Sequence, residues 1–253
     1  MSVIAPALER APLTMLDGTN SFLVTRQRQD SSRRYDRLGV LTHHDDAWTF
    51  RYFRDAAEDR TLARLPGLPE AHRVATSEYL FPVFAERVLS PRRPDRRRVL
   101  DTLGLEPEAG AFEIMARNGG RRRGDTIELI QLPTPTAAGD SRMEFLVHGM
   151  RHVPPHAQAR VDSLSLGDDL VVRPDHGNEH DPTAHFVTTS DGHDLGWVPA
   201  PLSPLIARVD GARAAVAHVN GSTTNPHLRL LVEYRGPLIQ ATEFNSPRWQ
   251  LVS

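Results

Sequence analysis

Leu166-Gly167-Asp168-Asp169-Leu170-Val171-Val172-Arg173-Pro174 runs, three residues later, into Asn178-Glu179-His180-Asp181-Pro182-Thr183-Ala184. A Gly-Asp turn feeds a short β-forming run that a proline ends, and a polar loop then leads into a second such run at 184–188. Upstream, 143–148 has the same character. Downstream, Leu195-Gly196-Trp197-Val198-Pro199 carries another run at 195–198, a short helix fits 201–208, and two more runs lie at 214–219 and 228–234. About six short strands with turn residues between them predict a small all-β barrel carrying one short helix.

Before this region stands Pro133-Thr134-Pro135-Thr136-Ala137-Ala138-Gly139-Asp140-Ser141, which has no apolar periodicity and reads as a linker. The predicted organisation is therefore a flexible arm over 1–20, an α+β basic domain over 21–132, the linker over 133–141, and an all-β domain with a C-terminal tail over 142–253. In the first domain, 21–25, 38–41, 48–53 and 126–132 read as strands, with His43-His44-Asp45-Asp46 as a turn. Phe81, Phe84, Ala85, Val88 and Leu89 share one helical face, with Ser77 as a cap. Asp95 heads a second helix with Val99, Leu100 and Leu103 inward, and 112–117 makes a third.

Composition narrows the chemistry. The 253 residues contain no cysteine, which excludes disulfides, thiol catalysis and Cys-ligated metals, and all 30 basic residues are Arg. Without lysine there is no Schiff base and no P-loop lysine. The abundance of Arg, Ala, Pro and Gly fits a GC-rich bacterial genome. No apolar run approaches a membrane span and no signal peptide is evident, so a cytoplasmic protein with no membrane partner is expected. The charge is uneven: 1–140 holds 21 Arg against 20 acids, and 141–253 holds 9 Arg against 12 acids and nine of the twelve His.

Val147-His148-Gly149-Met150-Arg151, the Gly-Asp pair before a strand, the Arg after it, the Asn-x-x-Asp-x-x-Ala loop and the Leu-Gly-x-Val-Pro turn come in an order that resembles the HIRAN domain, over 143–237. The resemblance implies a β-barrel that binds nucleic acid, with relatives attached to fork-remodelling helicases that capture the 3′-hydroxyl end of single-stranded DNA. By position, Arg151 would hold a phosphate, Asp181 would accept the 3′-hydroxyl, and Asn178 would shape the loop or donate to phosphate. Arg173 and Trp197 would complete the site. His152 and His180 stand where the end-capturing relatives have tyrosines, and Asn220 stands at a late-loop position that is aromatic in them.

Plainer readings exist for the same residues. Asn178 and Asp181 can hydrogen-bond their own loop, Trp197 can be core, and Arg173 can pair with Asp175 or Asp181. His148, His152 and His156, and likewise His176 and His180, have a spacing of four that would present ligands on one face only in a helix. The expectation is no metal and no cofactor.

Residues 35–132 weakly resemble the N-terminal subdomain of HipA-type kinases, through Leu80-Phe81-Pro82-Val83-Phe84-Ala85-Glu86-Arg87, Phe112-Glu113-Ile114-Met115-Ala116-Arg117 and Gly119-Gly120-Arg121. The kinase body is absent, so the resemblance implies a docking module. This region also carries Arg92, Arg93, Arg96, Arg97, Arg98, Arg121, Arg122 and Arg123, a candidate phosphate-binding patch in which most of the heads of Arg96, Arg97 and Arg98 are expected in water. No catalytic motif is present. The reading is a non-enzymatic protein that binds single-stranded DNA or its ends. The alternative is an interaction module that docks a separate kinase, helicase or nuclease.

Overall fold

The computed structural model describes residues 20–30, 34–62, 64–122, 124–179, 181–206, 211–237 and 249–252. Of the arm expected over 1–20 only Asn20 is described, and it opens the first strand; Arg123 and His180 also lie outside these residues. The first sheet has five antiparallel strands, β1 (Asn20–Gln27), β2 (Tyr35–His44), β3 (Ala47–Tyr52), β4 (Ala75–Ser77) and β5 (Ile127–Gln131), in the order β4-β3-β2-β1-β5. Asp45 and Asp46 turn β2 into β3 with φ of 48° and 58°, the left-handed pair that suits the twist of a two-residue hairpin.

Between the strands lie α1 (Arg54–Glu58), α2 (Pro82–Ala85), α3 (Arg96–Thr102) and α4 (Ala111–Asn118). The helix expected from Phe81 to Leu89 keeps only four residues. Its continuation is diverted because the Arg87 side chain is buried, donating to the Val83 and Gly120 carbonyls and to Asp125. Ser77 does not cap it; its hydroxyl accepts from the Tyr79 N–H.

The second sheet contains β6 (Thr134–Pro135), β7 (Asp140–Leu146), β8 (Asp169–Pro174), β9 (His185–Thr189), β10 (Asp194–Trp197), β11 (Arg213–Val219) and β12 (Leu230–Pro237). Two helices accompany it, α5 (Pro155–Val161) and α6 (Ser203–Ile206). Its order is β10-β9-β8-β11-β12-β7-β6. This corrects the expected six-stranded barrel: the sheet has seven strands and stays open. Beyond the end of β7, a single backbone bridge, His148 with Trp197, joins the chain to β10 among the described residues. The physical reason is local. β6 takes the outer edge of β7 at Ser141 and Arg142, and Gly149, with φ 68°, turns the chain away one residue after His148.

The segment expected as a linker, 133–141, thus holds β6 and the start of β7. α5 was not expected, because Pro154-Pro155 reads as a break. A proline in the first turn of a helix has no N–H to lose there.

β1 lies between β2 and β5, and its residues 21–25 are buried on both faces. Phe22 and Val24 join Phe50, Phe84, Met115 and Leu129 on the helix-covered side. Leu23 faces the other way and joins Val40, Phe53, Ile130 and Leu132 in a core shared with Phe145, Leu170, Val187 and Val232 of the second sheet. The last described residues return to the first sheet. Val252 N–H donates to the Tyr52 carbonyl at 3.0 Å, Arg54 N–H donates to the Gln250 carbonyl at 2.8 Å, and Trp249 enters the shared core.

Candidate functional site

Two glycine-containing motifs meet where His148 and Trp197 pair. His148 N–H donates to the Trp197 carbonyl at 2.8 Å and Trp197 N–H donates back at 2.9 Å. A Cβ on Gly149 would lie 2.5 Å from Trp197 Cε3, and one on Gly196 would lie 2.4 Å from the His148 carbonyl oxygen. Close approach of the two segments therefore needs glycine at both positions. The indole also packs on Phe186, with ring centroids 4.8 Å apart, and the Arg173 guanidinium lies 4.8 Å from the Phe186 centroid. Arg173 is held there by both oxygens of Asp194, at 2.7 and 2.8 Å. Its partner is thus neither Asp175 nor Asp181.

Beside this stack, the short turn Met150–His152 exposes Arg151 and His152. Arg151 Nε donates to His152 Nε2 at 3.0 Å, and no carboxylate pairs with Arg151 among the described residues. The 175–184 loop is knitted internally. Asp175 accepts from Trp197 Nε1 at 2.9 Å and from Asn178 Nδ2 at 3.1 Å. Asn178 Oδ1 accepts from the Asp181 N–H, and Asp181 Oδ1 accepts from the Thr183 N–H and hydroxyl. Asn178 and Asp181 shape this loop, and the loop anchors the indole.

Between the sheets lies a polar cluster. Glu128 on β5 has a side chain only 5% exposed, with Oε1 2.9 Å from His148 Nε2 and Oε2 3.0 Å from Arg121 Nη2. Burial alone would raise the carboxyl pKa, but the charges of His148 and Arg121 overcome it and hold it well below the usual range. The His227 ring lies 5.4 Å from that of His148, and burial, helped by Arg121 and His148, pushes its pKa down to about 3. Burial and the Glu128 charge push the Tyr35 phenol up.

The sign for acid stability follows. Below about pH 6.5 the unfolded chain protonates His227 while the folded one resists, and below about pH 4.5 the same holds for Glu128, so stability falls as pH falls. We expect the urea midpoint to drop between pH 7 and pH 5, by at most about 2 kcal/mol in stability. His227→Gln should flatten that slope, and an unchanged slope would mean another group titrates.

The basic patch is largely spoken for. Arg96 donates to the Leu89 and Ala109 carbonyls, which corrects the expectation that its head lies in water. Arg93 and Arg98 share Asp95, Arg121 pairs with Glu128 and Arg122 with Glu86. Arg92 and Arg97 remain exposed without a carboxylate partner among the described residues. If these two and Arg98 touch phosphates, replacing all three by Ala should flatten log affinity against log salt by about two to three units. An equal slope would make the patch solvated surface.

Asn220 is structural: its Nδ2 donates to the Thr102 carbonyl at the end of α3 and to the Leu228 carbonyl, at 2.8 and 2.7 Å. Among the described residues no cluster of three His, Asp or Glu could hold a metal, and no helix is long and apolar enough to cross a membrane.

Residues 141–232 match the HIRAN domain family. Two solved structures are similar over part of the chain. One is a protein from Lactobacillus plantarum, 23% identical over 39% of this chain and 99% of that one, with a TM-score of 0.30. The other is the HIRAN domain of human HLTF, 15% identical over 44% of this chain and 92% of that one, with a TM-score of 0.31. Likeness at that level carries no structural inference. No curated protein matches the sequence. The resemblance of 35–132 to the HipA-type subdomain finds no support in these matches.

The sequence reading missed Phe186, Asp194 and Glu128. Phe186 had a findable signal, an aromatic in the strand that follows the Asn-x-x-Asp-x-x-Ala loop. Glu128 had none, since its partner lies in the other sheet.

Proposed function

We propose that the protein binds nucleic acid, with single-stranded DNA as its ligand, on the surface where Arg173 caps Phe186 and Trp197 beside Arg151 and His152. The observation that carries this is the layered stack itself. A guanidinium plane over an aromatic ring offers a face on which a base can stack, and Arg151 stands on the adjoining turn, paired with no carboxylate among the described residues. The match of 141–232 to the HIRAN domain supports the same reading. The second half carries three more acids than Arg, so attraction for phosphate must be local and salt-sensitive. Binding a strand end needs no chemistry on the ligand, and we assign the protein none.

A 3′-hydroxyl end is the finer reading. Asp181 is the acceptor in it, and Asp181→Asn is its cleanest probe, because Asn keeps the acceptor that Thr183 uses while removing the charge. Anisotropy titrations with labelled single strands ending in 3′-hydroxyl or 3′-phosphate, and with blunt duplex, at two salt concentrations, test both levels. Single strands should bind more tightly than duplex, and more weakly at high salt. The wild type should prefer 3′-hydroxyl, and Asp181→Asn should lose about tenfold of that preference, the share of one charge-assisted hydrogen bond. Equal affinity of the wild type for both ends would remove end recognition. Absence of any nucleic-acid affinity, with one cellular protein co-eluting, would instead favour a docking module.

A further inference from the structure

The turn that presents Arg151 and His152 does not stand on its own sheet alone. His148, two residues before that turn, is fixed on two sides. On one, its backbone exchanges two hydrogen bonds with Trp197. On the other, its imidazole Nε2 lies 2.9 Å from Glu128 Oε1, a carboxylate of the first sheet whose register is set by β1 through the pair Thr25 and Glu128. Glu128 is nearly closed off from solvent, as His148 is, with side chains 5% and 16% exposed. Around them stand Arg121 on the second carboxylate oxygen, Tyr35, and His227 from the turn before β12; both imidazole Nε2 atoms are buried, that of His148 meeting Glu128 as a close ion-pair contact without hydrogen-bond alignment and that of His227 without a hydrogen-bond partner.

A buried carboxylate is tolerated only with its partners in place, so the geometry of this contact is far stiffer than that of a surface ion pair. One residue beyond His148, Gly149 is filled by the Trp197 ring, so a shift of His148 must move the indole, and with it the Phe186 and Arg173 layers. The geometry points to Glu128 as a positioning residue: a carboxylate of the first sheet sets the orientation of the turn and aromatic stack that the second sheet presents to the ligand.

The ligand part of this rests on the proposed function; the positioning part does not. Two readouts on the full-length chain separate them. The first is amide hydrogen exchange. Glu128→Ala should speed exchange at the His148 and Trp197 amides by about tenfold or more, while Phe145 and Val232, paired in the middle of the β7–β12 ladder, keep wild-type protection. The second is single-strand affinity, which should fall about tenfold with an unchanged salt slope, because Glu128 would touch no phosphate. Glu128→Gln keeps an acceptor for the imidazole and should restore most of both. If Glu128→Ala does not fold, His148→Gln removes the same contact from the other side and should give the same pattern. Unchanged exchange at His148 and Trp197 overturns the inference. So does a uniform loss of protection through both sheets, which would make Glu128 a general stability residue. Selective loosening together with no nucleic-acid affinity in the wild type would leave the positioning standing and sink the binding reading.

Discussion

Trp249→Ala lowers the stability of the whole protein by about 3–5 kcal/mol, the range for emptying a large aromatic site from a packed core. The indole is 3% exposed. It meets Phe53 edge-on at 5.5 Å, and the Arg37 guanidinium lies 5.0 Å from its ring and 5.1 Å from that of Phe53. Truncation therefore opens a cavity and strips a cation of half its aromatic bed. Trp249 belongs to the same buried cluster as Leu23, Val40 and Ile130 of the first sheet and Phe145 and Val232 of the second. The loss should accordingly appear in one cooperative urea transition, with the same midpoint by far-UV circular dichroism and by fluorescence. Two separated transitions, only one of them shifted, would show that the sheets unfold independently. A change under about 1 kcal/mol would mean that the return of 249–252 to the first sheet adds little.

Arg151→Ala should weaken single-strand binding by roughly 10- to 150-fold, the effect of losing one charge-assisted contact worth about 1.5–3 kcal/mol. Arg173→Ala should weaken it less, although Arg173 sits on the stack. Both Arg173–Asp194 contacts are already made in the free protein, so much of its charge is neutralised before any phosphate arrives. Among the described residues, the partner of Arg151 is His152. Folding should survive either change, since both side chains are exposed. Affinities at matched salt, with thermal midpoints as the folding control, decide the order. If Arg173→Ala proves the more damaging, the ligand displaces Asp194 and the stack is the primary contact.

Much of the fold was legible because it is written locally. Runs of β-forming residues marked β2, β3 and the strands of the second sheet other than β6 to within a few residues. Gly-Asp and Asp-Asp turns fell where expected, and α3 and α4 followed from their apolar spacing. What was illegible is relational. Whether a run of strands closes depends on what occupies the last edge, and here Thr134–Pro135, too short and too proline-rich to look like a strand, occupies it. The site shows the same division. Arg151 and Trp197 were found from motifs, whereas the occupation of Asp181 by Thr183, the use of Arg96 on carbonyls and the meeting of Glu128 with His148 depend on tertiary neighbours. A charge count located a basic run, but not which guanidinium groups already had work in the fold.

The return of the last described residues has a consequence in time. Phe53 bridges to Leu251, a contact across roughly two hundred residues of chain, and β1 waits for β5 across roughly a hundred more local ones. Such closures tend to come late and slowly. During synthesis β3 would emerge long before the segment that completes its surroundings, leaving Phe53 and Arg37 without Trp249 until nearly the whole second sheet has been made. A nascent chain in that condition exposes apolar surface for seconds. A ribosome stalled before residue 249 should therefore hold a chain that binds chaperones strongly, and release of that hold should coincide with the emergence of residues 249–252.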